Sequence, residues 1–182
     1  MKRTRLRFKS IQQIVGDDKL SVTVLTDDDC RRALSVVCDE SMTRQILLRL
    51  QSPRFCNTLL PEVLLAMLAG HEYEMMIFGI HDGQYQVVLS DCDNNRSVRI
   101  RMSDAVLLTM ITNDIPLYIE ESLMNQQSVP FNPDATGIAI PINTMDNQRL
   151  NDALQHAIDE ENYELASHLR DEINRRKVNN PE

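Results

Sequence analysis

Over the first forty positions, apolar and polar residues alternate with a period of two, the pattern of half-buried strands. Arg3, Arg5, Arg7 and Lys9 alternate with Thr4, Leu6, Phe8 and Ser10, so that one face is wholly basic. Residues 20–25 and 33–38 read as two further strands, set off by turns at Gly16-Asp17-Asp18 and Asp27-Asp28-Asp29. Together they predict an antiparallel meander. The period then lengthens. Asp39 is placed to cap a helix through Leu50 with Met42, Ile46, Leu47 and Leu50 on its apolar face, ended by Ser52-Pro53. A second helix is expected from near Pro61 to Gly70. Residues 73–80 and 84–90, joined through Asp82-Gly83, predict a hairpin, with 97–102 as the next strand. A third helix follows from Ser103 to about Thr112, burying Val106, Leu107, Met110 and Ile111. Residues 116–119 read as a short strand and 120–125 as a helical turn.

From Gln126 to Asp146 the composition shifts to Asn, Pro, Thr, Ser and Gly, which marks a linker, although Ile138 to Ile142 carries apolar residues able to pack. Beyond it lie two amphipathic segments. Leu150, Leu154, Ala157 and Ile158 fall on one helical face; Leu165, Ala166, Leu169 and Ile173 fall on another. Glu160, Glu161 and Asn162 break the pattern between them, so the pair should fold back as a hairpin whose stripes bury each other. The expected fold class is α+β: a mixed sheet packed with helices, followed by a C-terminal two-helix hairpin. The boundaries are a domain at 1–131, a linker at 132–146 and a hairpin at 147–178.

Composition narrows the function. The chain has 182 residues, 42% apolar and 25% charged, with a formal net charge of -8. That balance is a soluble globular protein's, and it argues against a nucleic-acid binder over its whole surface while allowing a local basic patch. No apolar run approaches the roughly 20 residues of a membrane span. The basic start, Met1 to Arg5, is not followed by the apolar block of a signal peptide, so no membrane association and a cytoplasmic location are expected. Cys30, Cys38, Cys56 and Cys92 have neither zinc-site nor disulfide-framework spacing and are read as reduced thiols.

The hairpin carries a sharper signal. Asn162-Tyr163-Glu164-Leu165-Ala166-Ser167-His168-Leu169-Arg170-Asp171-Glu172-Ile173 resembles D-F-E-x-A-A-x-L-R-D-x-I of the UVR motif, the hairpin through which the excision-repair proteins UvrB and UvrC dock. It departs mainly at Tyr163 and Ser167. The resemblance implies a protein partner bound through Leu165, Leu169, Arg170 and Ile173. The preceding region, from about Arg5 to Phe131, resembles the bifunctional nuclease (DNase/RNase) family. Ser103-Asp104-Ala105-Val106-Leu107-Leu108 is similar to that family's S-D-A-I-A-L, and Ile115-Pro116-Leu117-Tyr118-Ile119-Glu120-Glu121 to its A-P-I-Y-V-x-E-E. His81-Asp82-Gly83-Gln84-Tyr85 matches the D-G-x-(F/Y) hairpin. A UVR segment after the nuclease domain is a familiar arrangement there, so the two likenesses support each other. This chain also departs from the pattern. Asp39 and Met42 stand at a glycine and an acidic position; Thr58 and Leu59 replace the His and Asp of R-P-x-T-H-D, leaving Arg54; and Arg99 replaces the first Asp of D-A-R-x-S-D.

The resemblance implies hydrolysis of DNA or RNA phosphodiester bonds. Metal-dependent nucleases hold Mg2+ or Mn2+ with carboxylates, since both ions take oxygen ligands. Asp104 is the leading candidate acid and metal ligand, with Glu120 and Glu121 as candidate partners; the alternative is that Asp104 only complements the helix dipole. Ser103 would cap the helix at the site. Arg54, Arg99 and Arg101 are the candidate phosphate contacts, and neighbouring strands bearing Arg3 to Lys9 and Arg99 would form one cationic surface. The acidic turns at 27–29 and 91–95 lack the spacing of a calcium loop. The competing reading is a non-catalytic adaptor, or a nucleic-acid- or anion-binding protein, on a degenerate nuclease-like fold. Either version is expected to hide a sheet edge by forming a homo-oligomer.

Overall fold

A computed structural model describes residues 2–14, 17–133 and 140–179. The first strand, β1 (Arg3–Ile14), pairs antiparallel with β2 (Asp17–Asp27), which pairs antiparallel with β3 (Arg32–Asp39). This is the expected meander. Gly16 lies outside the described residues. The β2–β3 turn is held by Asp27, whose Oδ1 accepts from the backbone amides of Arg31 at 2.7 Å and Arg32 at 3.1 Å, while Cys30 takes a left-handed φ of 52°.

Asp39 caps α1 (Glu40–Gln51), accepting from the amide of Met42 at 2.8 Å, which satisfies one orphan donor of the first turn. The buried face of α1 differs from the expected one. Met42, Ile46 and Arg49 point inward, while Leu47 and Leu50 are exposed. The spacing i, i+4, i+7 is as helical as the expected set, and the deciding factor is non-local. Arg49 meets Glu62 of α2 (Leu60–Leu68) through two hydrogen bonds, at 2.6 and 2.8 Å.

The chain continues through β4 (Tyr73–His81), β5 (Gln84–Asp91), β6 (Arg96–Ile100), α3 (Met102–Ile111), β7 (Leu117–Glu120), α4 (Glu121–Gln127) and β8 (Val129–Pro130). The eight strands form one mixed sheet in the order β6-β5-β4-β7-β1-β2-β3-β8, with β4 and β7 parallel. α1 packs on β2 and β3, α3 on β1 and β3, and α4 on β7 and β1. Leu6, Leu25, Leu34, Ile46, Met75, Ile77, Leu117 and Ile119 are essentially inaccessible and form the core. Of the apolar residues expected to bury on α3, Val106 and Leu107 do so; Met110 and Ile111 are half-buried, and Ala105 takes their place.

The chain divides into two compact units, Met1–Gly79 with Gln86–Ala139, and Ile80–Tyr85 with Ile140–Glu182. In the second, α5 (Asn147–Asp159) and α6 (Tyr163–Asn179) form the expected hairpin around Leu150, Ala157, Ala166 and Leu169, with Ile142 and Ile173 packed against them. Glu161 supplies the turn with φ 58°, and Asn162 Oδ1 accepts from the Leu165 amide at 3.2 Å. Ile158 and Leu165, expected to face the core, are exposed. Ile138 and Ala139 lie outside the described residues. The Asp82-Gly83 turn belongs to this unit, and both residues have positive φ, 49° and 78°, as a two-residue hairpin turn of this hand requires. A Cβ on Gly83 would lie 2.4 Å from the Met145 carbonyl oxygen, so only glycine fits.

Candidate functional site

The junction between β6 and α3 carries three of the candidate residues. The chain leaves β6 at Ile100, and Arg101 takes an extended conformation (φ -71°, ψ 147°) at the start of α3. Its carbonyl accepts from the amides of Asp104 and Ala105, both at 3.1 Å. Its guanidinium turns back over the first turn, donating from Nε to Asp104 Oδ2 at 2.8 Å and from Nη2 to Oδ1 at 3.0 Å. Such a planar two-point pair is the strongest arrangement these groups make. The Asp104 hydrogen bond, and then its charge, hold the Arg101 guanidinium above its ordinary pKa, with a smaller contribution from Asp39. Both groups face solvent, Arg101 more than Asp104.

Ser103 does not cap this helix. α3 begins one residue earlier, at buried Met102, and its N-terminus has no side-chain cap. Burial of Met102 and Ala105 sets the start, which leaves Ser103 inside the first turn. Asp104 does lie in that turn, where its charge complements the exposed amides.

Arg99 sits on β6 opposite Val88, its guanidinium 5.9 Å from the Phe78 ring centroid. Val98 is exposed, and β6 is an edge strand of the sheet. Arg54 is exposed in a single 3-10 turn, Pro53–Phe55. Glu120 ends β7 opposite Arg3 of β1. Glu121 is engaged elsewhere. It accepts from Arg32 Nη1 at 3.0 Å and from the Thr4 hydroxyl, and these two bonds, Thr4's first, hold its carboxyl below the ordinary value.

The expected single cationic surface does not form. Three strands, β5, β4 and β7, separate β6 from β1, because β7 inserts beside β4 in parallel and places the later hairpin on the far side. The basic face of β1 is also matched by counter-charges and acceptors. Arg3 donates to both oxygens of Glu74 at 2.9 and 2.8 Å and stacks 3.9 Å over Tyr118. Arg5 donates to the Asn113 carbonyl at 3.0 Å, and Arg7 pairs with Asp28 and with Asn113 Oδ1.

Among the described residues, no three His, Cys, Asp or Glu side chains converge as a resident metal cage needs. Mg2+ commonly uses one or two carboxylates together with substrate phosphates, and Asp104 is suited to no more than that.

Two arrangements escaped sequence reasoning. Arg32 reaches Asp27, Glu121, Asn125 and Thr4, tying β1, the β2–β3 turn and α4 together. Nothing local signals that cluster. The Arg49–Glu62 pair had a signal in the i, i+4, i+7 spacing from Met42, masked by the leucines at 47, 48 and 50.

The partner residues expected in the hairpin divide in two. Leu165 and Arg170 are exposed, whereas Leu169 is buried in the hairpin's own core and Ile173 packs against that core. Leu169 is therefore corrected from partner contact to core residue: the α5 stripe already covers it. Nearby, Arg176 donates to the carbonyls of Met145 at 2.7 Å and Asn143 at 3.1 Å and to Glu172, fastening α6 to the segment before α5.

With this geometry in view, two family models match the chain. The bifunctional nuclease domain matches residues 23–132, and the UvrB/uvrC motif matches residues 148–177. The first covers more than half of the chain, and the protein belongs to the bifunctional nuclease domain family, with a UvrB/uvrC motif after that domain. A comparison with curated proteins gave no match. No helix among the described residues is long and apolar enough to cross a membrane.

Proposed function

We propose that this protein hydrolyses phosphodiester bonds of DNA or RNA and recruits a protein partner through its C-terminal hairpin. Membership of the bifunctional nuclease domain family is the observation that carries this reading. The β6–α3 junction is the proposed centre. There Arg101 would exchange Asp104 for a phosphate oxygen, and Arg99 and Arg54 would contact the flanking backbone; Asp104 is the acidic group of the reaction. A divalent cation (Mg2+ or Mn2+) in this reading arrives with the substrate phosphate, because the described residues offer no complete set of ligands. On the hairpin, exposed Leu165 and Arg170 are the proposed partner contacts.

The test is cleavage of plasmid DNA and single-stranded RNA by purified protein with Mg2+, Mn2+ or EDTA, beside Asp104→Ala. The expected outcome is metal-dependent cleavage reduced at least about a hundredfold in the variant, as for removal of a group that stabilises developing charge. Cleavage that survives in Asp104→Ala would move the centre elsewhere.

A second reading rests on the two-point Arg101–Asp104 pair, which occupies both oxygens of the candidate acid. It is joined by the Thr58 and Leu59 replacements. On that reading the protein binds nucleic acid without cutting it and acts as an adaptor. Salt-sensitive binding with no cleavage under any metal condition would support it. Arg99→Ala and Arg101→Ala would each then flatten the salt dependence by about one phosphate contact.

A further inference from the structure

On β4, β7 and β1 the inaccessible side chains Met75, Ile77, Leu117, Ile119 and Leu6 line one face of the sheet, so the alternate positions present the other. Register fixes which residues share that second face. Met76 pairs with Tyr118 and Tyr118 with Arg5, and Phe78 follows Met76 by two positions. The contact of Arg99 with the Phe78 ring carries the face across β5 to β6. Two rings thus stand on this face among arginines, and they differ in what covers them. Tyr118 is capped by Arg3, which stacks 3.9 Å over it and donates to both oxygens of Glu74. Phe78 lies on an interior strand yet is 40% exposed. The Arg99 guanidinium, 5.9 Å from its ring centre, has no carboxylate partner among the described residues. An open ring beside an unmatched cation can receive a nucleobase and its phosphate together.

We propose that this sheet face binds single-stranded nucleic acid, with an unpaired base stacked on Phe78 and the adjoining phosphate on Arg99. The inference rests on the nucleic-acid binding that both readings above share, and it narrows the substrate to unpaired strands. A base inside a duplex has both of its faces covered by its neighbours, so only an unpaired base can lie flat on a protein ring. Stacking of this kind tolerates any sequence, because every base has a π-face. Arg101 lies two residues beyond Arg99 along the same extended segment, and its guanidinium holds Asp104. A strand running from Phe78 past Arg99 is therefore led towards the proposed centre. A protein segment is the poorer occupant. Met76 and Val88 beside the ring are half-buried, so the face lacks the broad apolar patch that a protein interface has at its middle.

The chain has no tryptophan, so Phe78→Trp places a single indole on the platform. The full chain carrying this change is titrated in EDTA with oligothymidylate and with a DNA duplex of equal length. Fluorescence polarisation of labelled strands reports binding separately. The expected result is indole emission quenched by the single strand and unchanged by the duplex. In Phe78→Leu, which keeps apolar bulk without the ring, single-strand affinity should fall about fivefold or more, the effect of losing one stacked base. Binding of the single strand without quenching, equal quenching by the duplex, or unchanged affinity in Phe78→Leu would each overturn the proposal. So would the absence of any binding, which would leave the face to a protein. Should Phe78→Leu fail to fold by circular dichroism, the conservative Phe78→Trp chain carries the decision. Failure of the nuclease reading looks different: quenching by the single strand with no hydrolysis in Mg2+ or Mn2+ removes the enzyme and leaves the platform standing.

Discussion

At the scale of single residues, opposite outcomes came from the same kind of side chain. Arg101 and Arg49 each meet a carboxylate at two points, but Arg101 does so in solvent and Arg49 does so buried, with only 4% of its side chain accessible. Glu62→Ala would strand a buried guanidinium, so it should destabilise the protein by about 3–5 kcal/mol, whereas Arg49→Met/Glu62→Leu removes both charges and should cost much less. Urea denaturation of the three proteins measures the difference; equal losses would show that packing, not pairing, matters there. Gly83 is the other decisive position. Gly83→Ala places a side chain at φ 78° and 2.4 Å from the Met145 oxygen. The left-handed backbone alone costs roughly 1–2 kcal/mol, and the contact adds to it. Thermal unfolding of the second unit should show at least that loss.

Among elements, the α5–α6 hairpin depends on a charge cluster as well as on its apolar seam. Glu172 accepts from Arg175 and Arg176, and the Arg175 hydrogen bond is the main cause that holds its carboxyl below the ordinary range, against the opposing effect of burial. An unfolded glutamate titrates near 4.3. Stability from this group is therefore complete above that value and is lost as the pH falls through the lower folded value. Helicity followed by circular dichroism should decline on acidification below about pH 4, and less steeply in Glu172→Gln; identical acid profiles would remove Glu172 from the account. If the hairpin docks a partner as proposed, folding and recognition rest on different residues. Leu169→Asp should unfold it, while Leu165→Asp should leave it folded and weaken partner binding. Heteronuclear NMR spectra of the two variants distinguish those effects.

For the molecule as a whole, two compact units imply two levels of local stability. Amides of β2 and β3, flanked by inaccessible Val24, Leu25 and Leu34, should exchange most slowly. Those of α6 should exchange faster, and a single uniform exchange rate would contradict that division. Much of this plan was legible in the chain. The meander, the Asp39 cap, the Asp82-Gly83 turn and the hairpin core of Leu150, Ala157, Ala166 and Leu169 follow from periodicity and turn chemistry, as does the α+β class. Each depends on neighbours within a few residues, so sequence alone determined it. Strand order, the separation of β6 from β1, and the inward turn of Arg49 needed the tertiary structure. So did the counter-charges that match the basic face of β1, and the exposure of α2. Those outcomes depend on which distant residues meet, because whether a charge finds an opposite charge, or an apolar face a cover, is decided only when the chain closes on itself.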